Sequence, residues 1–199
     1  DQLIGVTAVY ARLVAAASGD RVAIFSENRP EWVYAFYAAW RKHAIPVPID
    51  AMASVDEIAY ILKDSTPVAV FVSPKNVETM EKAIAMAECQ TKLIVFTDIA
   101  IPATIPDEDK VFPEAADDDT AVIIYTSGTT GSPKGVMLSY ENLRANLIAV
   151  SEQVPIYKAT DRVMILLPLH HVLPLQGTLI MPLSINATCV MAPSMVAAD

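Results

Sequence analysis

The chain has 199 residues, 53% of them hydrophobic, and a formal net charge of −9. This length predicts one domain with at most two lobes, and the negative charge argues against a nucleic-acid partner. Cys89 and Cys189 lie far apart and indicate neither a disulfide framework nor a metal cluster, so we expect a reducing, cytoplasmic environment. The chain starts at Asp1 without a signal segment or an initiator methionine, as expected of a fragment.

Strand and helix patterns alternate through the first hundred residues. Helices are predicted at residues 3–17, 31–42, 54–64 and 77–88, and extended or strand segments at 21–26, 45–49, 68–72 and 92–96. Ser54 and Glu57 have the spacing of a capping box at the start of the third helix. The alternation predicts right-handed crossovers and a mostly parallel sheet.

Residues 100–119 are the one predicted linker. They contain Pro102, Pro106 and Pro113 and end in three consecutive aspartates, a composition typical of a solvated connection. We therefore divide the chain into a first βα subdomain at 1–99, the linker, and a second subdomain at 120–199. The second opens with residues 120–125, an apolar β-branched run that predicts a buried strand of a parallel sheet.

A loop rich in glycine and hydroxyl residues follows that strand, and we interpret it as a site for the phosphates of a nucleotide. Glycines let backbone amides turn toward an anion, and hydroxyls donate to phosphate oxygens. The residues concerned are Ser127, Gly128, Thr129, Thr130, Gly131, Ser132 and Gly135. Thr126 offers an oxygen to an accompanying magnesium ion, and Lys134 places a cation where a β- or γ-phosphate would lie. The alternative is a solvated turn. The combination of several hydroxyls, three glycines and one lysine directly after a buried strand disfavours it.

The spacing of this loop excludes two common nucleotide motifs. A Walker loop that began at Gly128 would need glycine where Pro133 stands, and Ser or Thr where Gly135 follows Lys134. The dinucleotide fingerprint Gly-x-Gly-x-x-Gly does not occur anywhere in the chain.

The rest of the chain is strongly apolar. Ser139 is predicted to cap a helix at residues 140–153, and residues 162–167 are predicted to form a strand. Residues 163–198 contain no Asp, Glu, Lys or Arg, and length alone would allow a transmembrane helix. Because four prolines, two histidines, Gln176 and Asn186 interrupt this stretch, we favour interior structure, with a helix at about 173–183 and a strand at 187–192.

Residues 125–136, Tyr-Thr-Ser-Gly-Thr-Thr-Gly-Ser-Pro-Lys-Gly-Val, resemble the phosphate-binding signature of the adenylate-forming enzymes. These are the acyl- and aryl-CoA synthetases, the luciferases and the adenylation domains of peptide synthetases; the surrounding sequence is most similar to fatty-acyl-CoA synthetases. The resemblance implies an α/β fold of layered, mostly parallel sheets flanked by helices, forming the N-terminal portion of the family's large domain. Asn28, Glu31, Pro48 and Asp50 also fit the family's usual residues.

A second resemblance concerns residues 168–171, Pro-Leu-His-His, which are similar to the family's Pro-Leu-x-His motif. The match implies that His171, not His170, lies near the carboxylate pocket and shapes the acyl site, with residues 173–183 lining an acyl channel. A purely structural histidine is the alternative. Leu173 and Pro174 stand where the family often has an aromatic residue and glycine, so the pocket wall is expected to differ.

The resemblance implies an enzyme that uses ATP, Mg²⁺ and coenzyme A to convert a carboxylic acid, most simply a fatty acid, to its CoA ester. It places no catalytic residue in this chain, because the family's catalytic lysine belongs to a C-terminal domain; Lys134 is not that lysine. These 199 residues alone are therefore expected to show weak or no turnover. Two alternatives stay open: an amino-acid or aryl-acid adenylation domain, and a non-catalytic interaction module. Peripheral association with the inner membrane face is also left open.

Overall fold

The computed structural model describes residues 2–100, 106, 111–126, 132–150 and 156–192. The strands are β1 (Arg21–Phe25), β2 (Ile45–Ile49), β3 (Ala69–Val72), β4 (Lys92–Val95), β5 (Thr120–Thr126), β6 (Lys134–Ser139), β7 (Arg162–Ile165) and β8 (Thr188–Met191). The helices are α1 (Gln2–Arg12), α2 (Pro30–Arg41), α3 (Val55–Ser65), α4 (Val77–Ala87), α5 (Tyr140–Ile148), α6 (Val172–Pro174) and α7 (Met181–Ser184), with a π-helical segment at Leu175–Ile180 between the last two.

A four-stranded parallel sheet in the order β2-β1-β3-β4 forms the centre of the first hundred residues. This confirms the predicted parallel sheet. The central strands β1 and β3 are apolar and buried on both faces, as parallel strands covered by helices must be. β2 carries Pro46 and Pro48 and lies at the edge of the sheet, where a residue without an N–H donor is tolerated.

Two hydrophobic cores lie on opposite faces of this sheet. Val22, Ile24 and Phe71 pack with the aromatic face of α2 and with α1. The alternate residues of the same strands, such as Ala23 and Phe25, pack with α3 and α4. Because successive strand residues point to opposite faces, the sheet is fixed in register by both cores. The carboxyl ends of its strands are thereby held rigidly at one edge.

The first helix is shorter than predicted: α1 ends at Arg12, not at Ala17. Beyond it, Val14 and Ala16 are buried while Ala15 and Ala17 are exposed, which is an alternating burial pattern and not a helical one. The Nζ of Lys92 donates to the carbonyl of Leu13, and this bond ties the extended segment to the sheet. Tertiary packing has overridden the helical propensity of an alanine-rich run.

Residues 120–125 were predicted as a strand of a parallel sheet, and this prediction is wrong. β5 pairs with β6 in an antiparallel hairpin, with Tyr125 opposite Gly135 and Thr126 opposite Lys134. The chain between Thr126 and Lys134 is too short for the crossover that a parallel pair requires. The predicted phosphate loop is therefore the connection of a hairpin, and both of its ends are held by one ladder.

The last described part is a parallel pair, β7 and β8, joined by the helical residues 172–184. The predicted helix is confirmed, although its middle is π-helical. Pro182 has no N–H to donate inside this helix, and the thiol of Cys189 donates to the carbonyl of Thr178. Within the described ranges, no helix has the length and apolar character needed to cross a bilayer.

Two further predictions fall partly outside the described residues. Ser139 caps α5 as predicted, and Asn142 completes a capping box with it, but residues 151–153 of the predicted helix are not described. Of the predicted linker, Ala100, Pro106 and residues 111–119 are described; Asp117 forms an ion pair with Arg144 of α5. The division of the chain at this linker stays a prediction.

Candidate functional site

The β5–β6 hairpin holds the two ends of the predicted phosphate loop next to each other. Thr126 ends β5 and lies opposite Lys134, the first residue of β6, and both side chains are exposed. Among the described residues, none hydrogen-bonds to the Thr126 hydroxyl or forms an ion pair with Lys134. The middle of the loop, Ser127, Gly128, Thr129, Thr130 and Gly131, lies outside the described residues. The structure thus gives the base of the loop: one hydroxyl and one ammonium group facing solvent side by side.

Gly135 has a different role from the one predicted. It does not adopt the left-handed conformation; its backbone belongs to β6. A Cβ added to Gly135 would lie 2.9 Å from Cγ2 of Ile123 and 3.2 Å from Cζ of Tyr125. Glycine is therefore needed for close packing against the β5 side chains, and not for turning an amide toward an anion.

Tyr125 anchors the hairpin to the first sheet. Its hydroxyl donates to Oδ2 of Asp64 in α3, 61 residues earlier in the chain. Burial raises the pKa of Tyr125 above its ordinary value, and the hydrogen bond and charge of Asp64 raise it further. The phenol therefore stays protonated and remains a donor at neutral pH. Nothing in the local sequence around Tyr125 indicates this partner.

A cavity of about 360 Å³ lies where the hairpin meets the carboxyl end of β2. It brings together predicted site residues from two separate parts of the chain, Thr126 and His171, with Pro133 at the other end of the hairpin loop. The remaining walls come from β2 and the start of α3: Pro48, Ile49, Asp50, Met52, Ala53, Glu57 and Ile61, with Tyr125 and His170. A crevice beyond the carboxyl ends of parallel strands is where α/β proteins most often bind ligands.

The two histidines differ in their surroundings. His171 is exposed and lines the cavity. The neighbouring His170 is mostly buried; its Nε2 lies 3.7 Å from Oδ2 of Asp50, and its ring centroid lies 4.0 Å from that of His171. Burial lowers the pKa of His170, the proximity of His171 lowers it further, and the charge of Asp50 opposes both effects. His170 is thus held toward its neutral form, which does not suit it to bind phosphate as a cation.

The segment that carries the histidines is fastened to the first sheet by Asn28. The Nδ2 of Asn28 donates to the carbonyl of Leu167 at 2.8 Å, and its Oδ1 accepts from the backbone N–H of Leu169 at 3.0 Å. In the sequence, Asn28 stands out only through the family resemblance, and its hydrogen-bond partners are not apparent. A contact between residues about 140 positions apart leaves no signal in the spacing of one sequence.

A second and larger cavity, of about 560 Å³, has mainly apolar walls. α1 and α2 supply Leu3, Ile4, Thr7, Tyr37 and Trp40. The rest of the wall consists of Phe112 and of residues at and just after the end of the helical segment, namely Ile180, Leu183, Ser184, Asn186 and Ala187. Residues 172–184 therefore begin beside the first cavity and end in the wall of the second. This is the segment that was predicted to line an acyl channel.

No metal centre is formed by protein side chains within the described ranges: no three His, Cys, Asp or Glu residues are grouped to hold an ion. A magnesium ion bound here would need further ligands from a nucleotide and from water, which is the usual arrangement for Mg²⁺. The Thr126 hydroxyl, exposed at the cavity, fits such a shared site as one oxygen ligand.

Comparison with known proteins matches the chain over most of its length. A family model described as "AMP-binding enzyme" matches residues 7–199. The mitochondrial malonate–CoA ligase ACSF3 of Bos taurus is 33% identical over 186 residues, which cover 92% of this chain and 32% of the relative. The long-chain-fatty-acid–CoA ligase FadD13 of Mycobacterium tuberculosis is 31% identical over 159 residues, covering 78% of this chain and 31% of the relative.

The fold agrees with a solved structure. The inhibitor-bound N-terminal domain of FACL13 from Mycobacterium tuberculosis superposes with a TM-score of 0.81 at 27% identity, covering 97% of this chain and 49% of that domain. The predicted fold class, α/β with mostly parallel sheets flanked by helices, is confirmed. The chain spans about a third of the length of the curated relatives that it matches.

Proposed function

The chain belongs to the AMP-binding enzyme family, and from this premise we propose that the intact protein activates a carboxylic acid with ATP and transfers the acyl group to coenzyme A. In the first step a carboxylate oxygen attacks the α-phosphorus of ATP. The bond between the α-phosphorus and the oxygen that bridges the α- and β-phosphates breaks, giving an acyl-adenylate and pyrophosphate. In the second step the thiol of coenzyme A attacks the acyl carbon, AMP leaves, and the thiol proton passes to solvent. The acid is already ionised at neutral pH, so the first step needs no general base.

The role proposed for this chain is electrostatic. The loop hydroxyls and amides at residues 126–131, together with Lys134, would hold the β- and γ-phosphates and neutralise the charge that develops on the pyrophosphate leaving group. A magnesium ion held by Thr126 and the phosphates would supply further charge neutralisation. The exposed Thr126 hydroxyl and Lys134 ammonium group at the base of the loop support this assignment.

The observation that carries the proposal is the 360 Å³ cavity. It places Thr126, at the root of the phosphate loop, and His171, the residue assigned to the acid pocket, in the walls of a single space. Joining a carboxylate to the α-phosphate requires the two substrates to meet in one cleft. Neither residue is close to the other in sequence, so their common cavity is independent support for the pairing.

The mainly apolar wall of the second cavity favours an apolar acid over a dicarboxylic acid. The relatives act on malonate and on long-chain fatty acids. The second carboxylate of malonate would need a cationic partner if it were buried. Yet, among the described residues, no Lys or Arg lines either cavity, and Asp50 and Glu57 line the first. We therefore propose a fatty acid as substrate, with its chain directed along residues 172–184.

The test is ATP–pyrophosphate exchange by the intact protein with a long-chain fatty acid, a medium-chain fatty acid, malonate, benzoate and a mixture of amino acids. Exchange strongest with a fatty acid is the expected result. Exchange with malonate alone would overturn the choice of acid, and exchange with benzoate or amino acids would favour the aryl- or amino-acid alternatives. If the intact protein showed neither pyrophosphate exchange nor MgATP binding, the non-catalytic interaction module would be the favoured alternative. The cytoplasmic location stays a prediction.

A further inference from the structure

Residues 166–171 connect β7 to α6 and lie outside any strand or helix. Within this connection, the backbone hydrogen bonds of the described structure are local, from His171 N–H to the carbonyl of Pro168 and from Leu175 N–H to the carbonyl of His171. Leu166 and Leu167 are about half exposed, so packing does not immobilise that end. Something else must determine where the histidines lie relative to the first sheet.

Asn28 binds residues 166–171 through both polar atoms of its side-chain amide. It follows the carboxyl end of β1, in the turn before α2. Its two bonds flank Pro168, one to the residue before it and one to the residue after it. The amide of Asn28 thus bonds one backbone carbonyl and one backbone N–H, as the backbone of a neighbouring strand would, but it does so with a single side chain. This arrangement fixes both the distance and the rotation of the segment.

The adjacent strand β2 ends beside the same segment. β1 and β2 are neighbours with Phe25 paired to Ile49, so Asn28 and Asp50 both follow strands that end at the same edge. Oδ2 of Asp50 lies 3.7 Å from Nε2 of His170, which is beyond hydrogen-bond distance. Leu169 is almost fully buried, so its packing and the two Asn28 bonds hold the segment, and His171 follows directly.

We propose that Asn28 is a positioning residue for acid binding: it sets the place of His171 in the 360 Å³ cavity without touching the substrate itself. This inference rests on the proposed function, because it assigns His171 to the acid pocket. Displacements of about 1 Å in such a pocket can cost up to a hundredfold in rate. Because the hairpin is anchored independently through Tyr125 and Asp64, loss of the Asn28 bonds should affect the acid side and spare the nucleotide side.

The experiment uses the intact protein and the variants Asn28→Ala, Asn28→Asp and Asn142→Ala. Asn28→Ala removes both bonds, whereas Asn28→Asp keeps the acceptor for Leu169 and loses the donor to Leu167. Asn142→Ala is the matched control, since it also removes an amide, bonded to Ser139 at the start of α5, but away from the cavity walls. KM for the acid and KM for MgATP are measured separately by pyrophosphate exchange.

We expect Asn28→Ala to raise KM for the acid about tenfold, Asn28→Asp to raise it at least as much because a carboxylate oxygen would then face the Leu167 carbonyl, and KM for MgATP to stay within about twofold in both. The control should change neither KM. An unchanged KM for the acid in Asn28→Ala, or equal increases in both KM values, would overturn the proposal.

Hydrogen–deuterium exchange of the same proteins separates this inference from the proposed function. In Asn28→Ala, amides of residues 167–171 should exchange faster while those of α5 do not change. If wild type supports no exchange of pyrophosphate with any acid, the proposed function has failed, and with it the role in acid binding. Unchanged deuterium uptake at 167–171 would overturn the positioning role whatever the activity.

Discussion

Replacing Gly135 by alanine should destabilise the hairpin that carries the phosphate loop. The new Cβ would lie 2.9 Å from Cγ2 of Ile123, a distance that real Cβ contacts essentially never show, and 3.2 Å from Cζ of Tyr125. Tyr125 is held by its bond to Asp64, so it cannot move away freely. Inserting a methyl group into such a packed position typically costs about 1–3 kcal/mol.

For a domain of this size, 1 kcal/mol corresponds to about 2–4 °C in Tm, so Gly135→Ala should lower Tm by about 2–12 °C. Tryptophan fluorescence is a suitable probe, because Nε1 of Trp40 donates to the carbonyl of Ala121 in β5 at 2.6 Å. Gly177→Ala is the matched control: nothing lies within 4 Å of its added Cβ, and in a helical segment alanine should stabilise by about 0.5–1 kcal/mol.

A Gly135→Ala variant that melted within about 1 °C of wild type would refute this prediction, since the close contacts of the new Cβ would then not destabilise the fold. A loss of Tm in Gly177→Ala as large as in Gly135→Ala would also refute it. In that case the effect would belong to alanine substitution in general and not to packing beneath Tyr125.

Two further predictions concern charge. Lys134→Ala should weaken the thermal stabilisation given by MgATP while leaving the ligand-free Tm nearly unchanged, because Lys134 is exposed; Lys82→Ala in α4, which removes the same charge, should keep the full shift. Equal shifts in all three proteins would count against Lys134. His170 has a lowered pKa because it is buried, so the unfolded chain binds its proton more readily, and stability should fall as pH drops through about 6.5, the ordinary histidine value. His170→Gln should lose less stability than wild type between about pH 7.5 and 5.5; parallel curves would contradict this assignment.

Local patterns were sufficient for most of the first hundred residues. Short β-branched runs alternating with amphipathic helices predict a parallel sheet, because each apolar face must be covered by the next element. The capping boxes of Ser54 and Ser139 mark helix starts correctly, since the bonds that satisfy the first turn of a helix are made within four residues. The assignment of residues 126–131 and Lys134 to phosphate binding comes from the same kind of local pattern, a contiguous stretch of donors, and stays a prediction.

Contacts between distant parts of the chain were decided only by the tertiary structure. Val14 and Ala16 end α1 early because the sheet binds them in extended form, and β5 pairs with β6 because a short loop returns the chain at once. The partnership of Tyr125 with Asp64, and of Asn28 with Leu167 and Leu169, joins segments 61 to 141 positions apart. Such pairs depend on how the sheet, the hairpin and the histidine segment pack together, and the spacing of residues along one chain does not encode that packing.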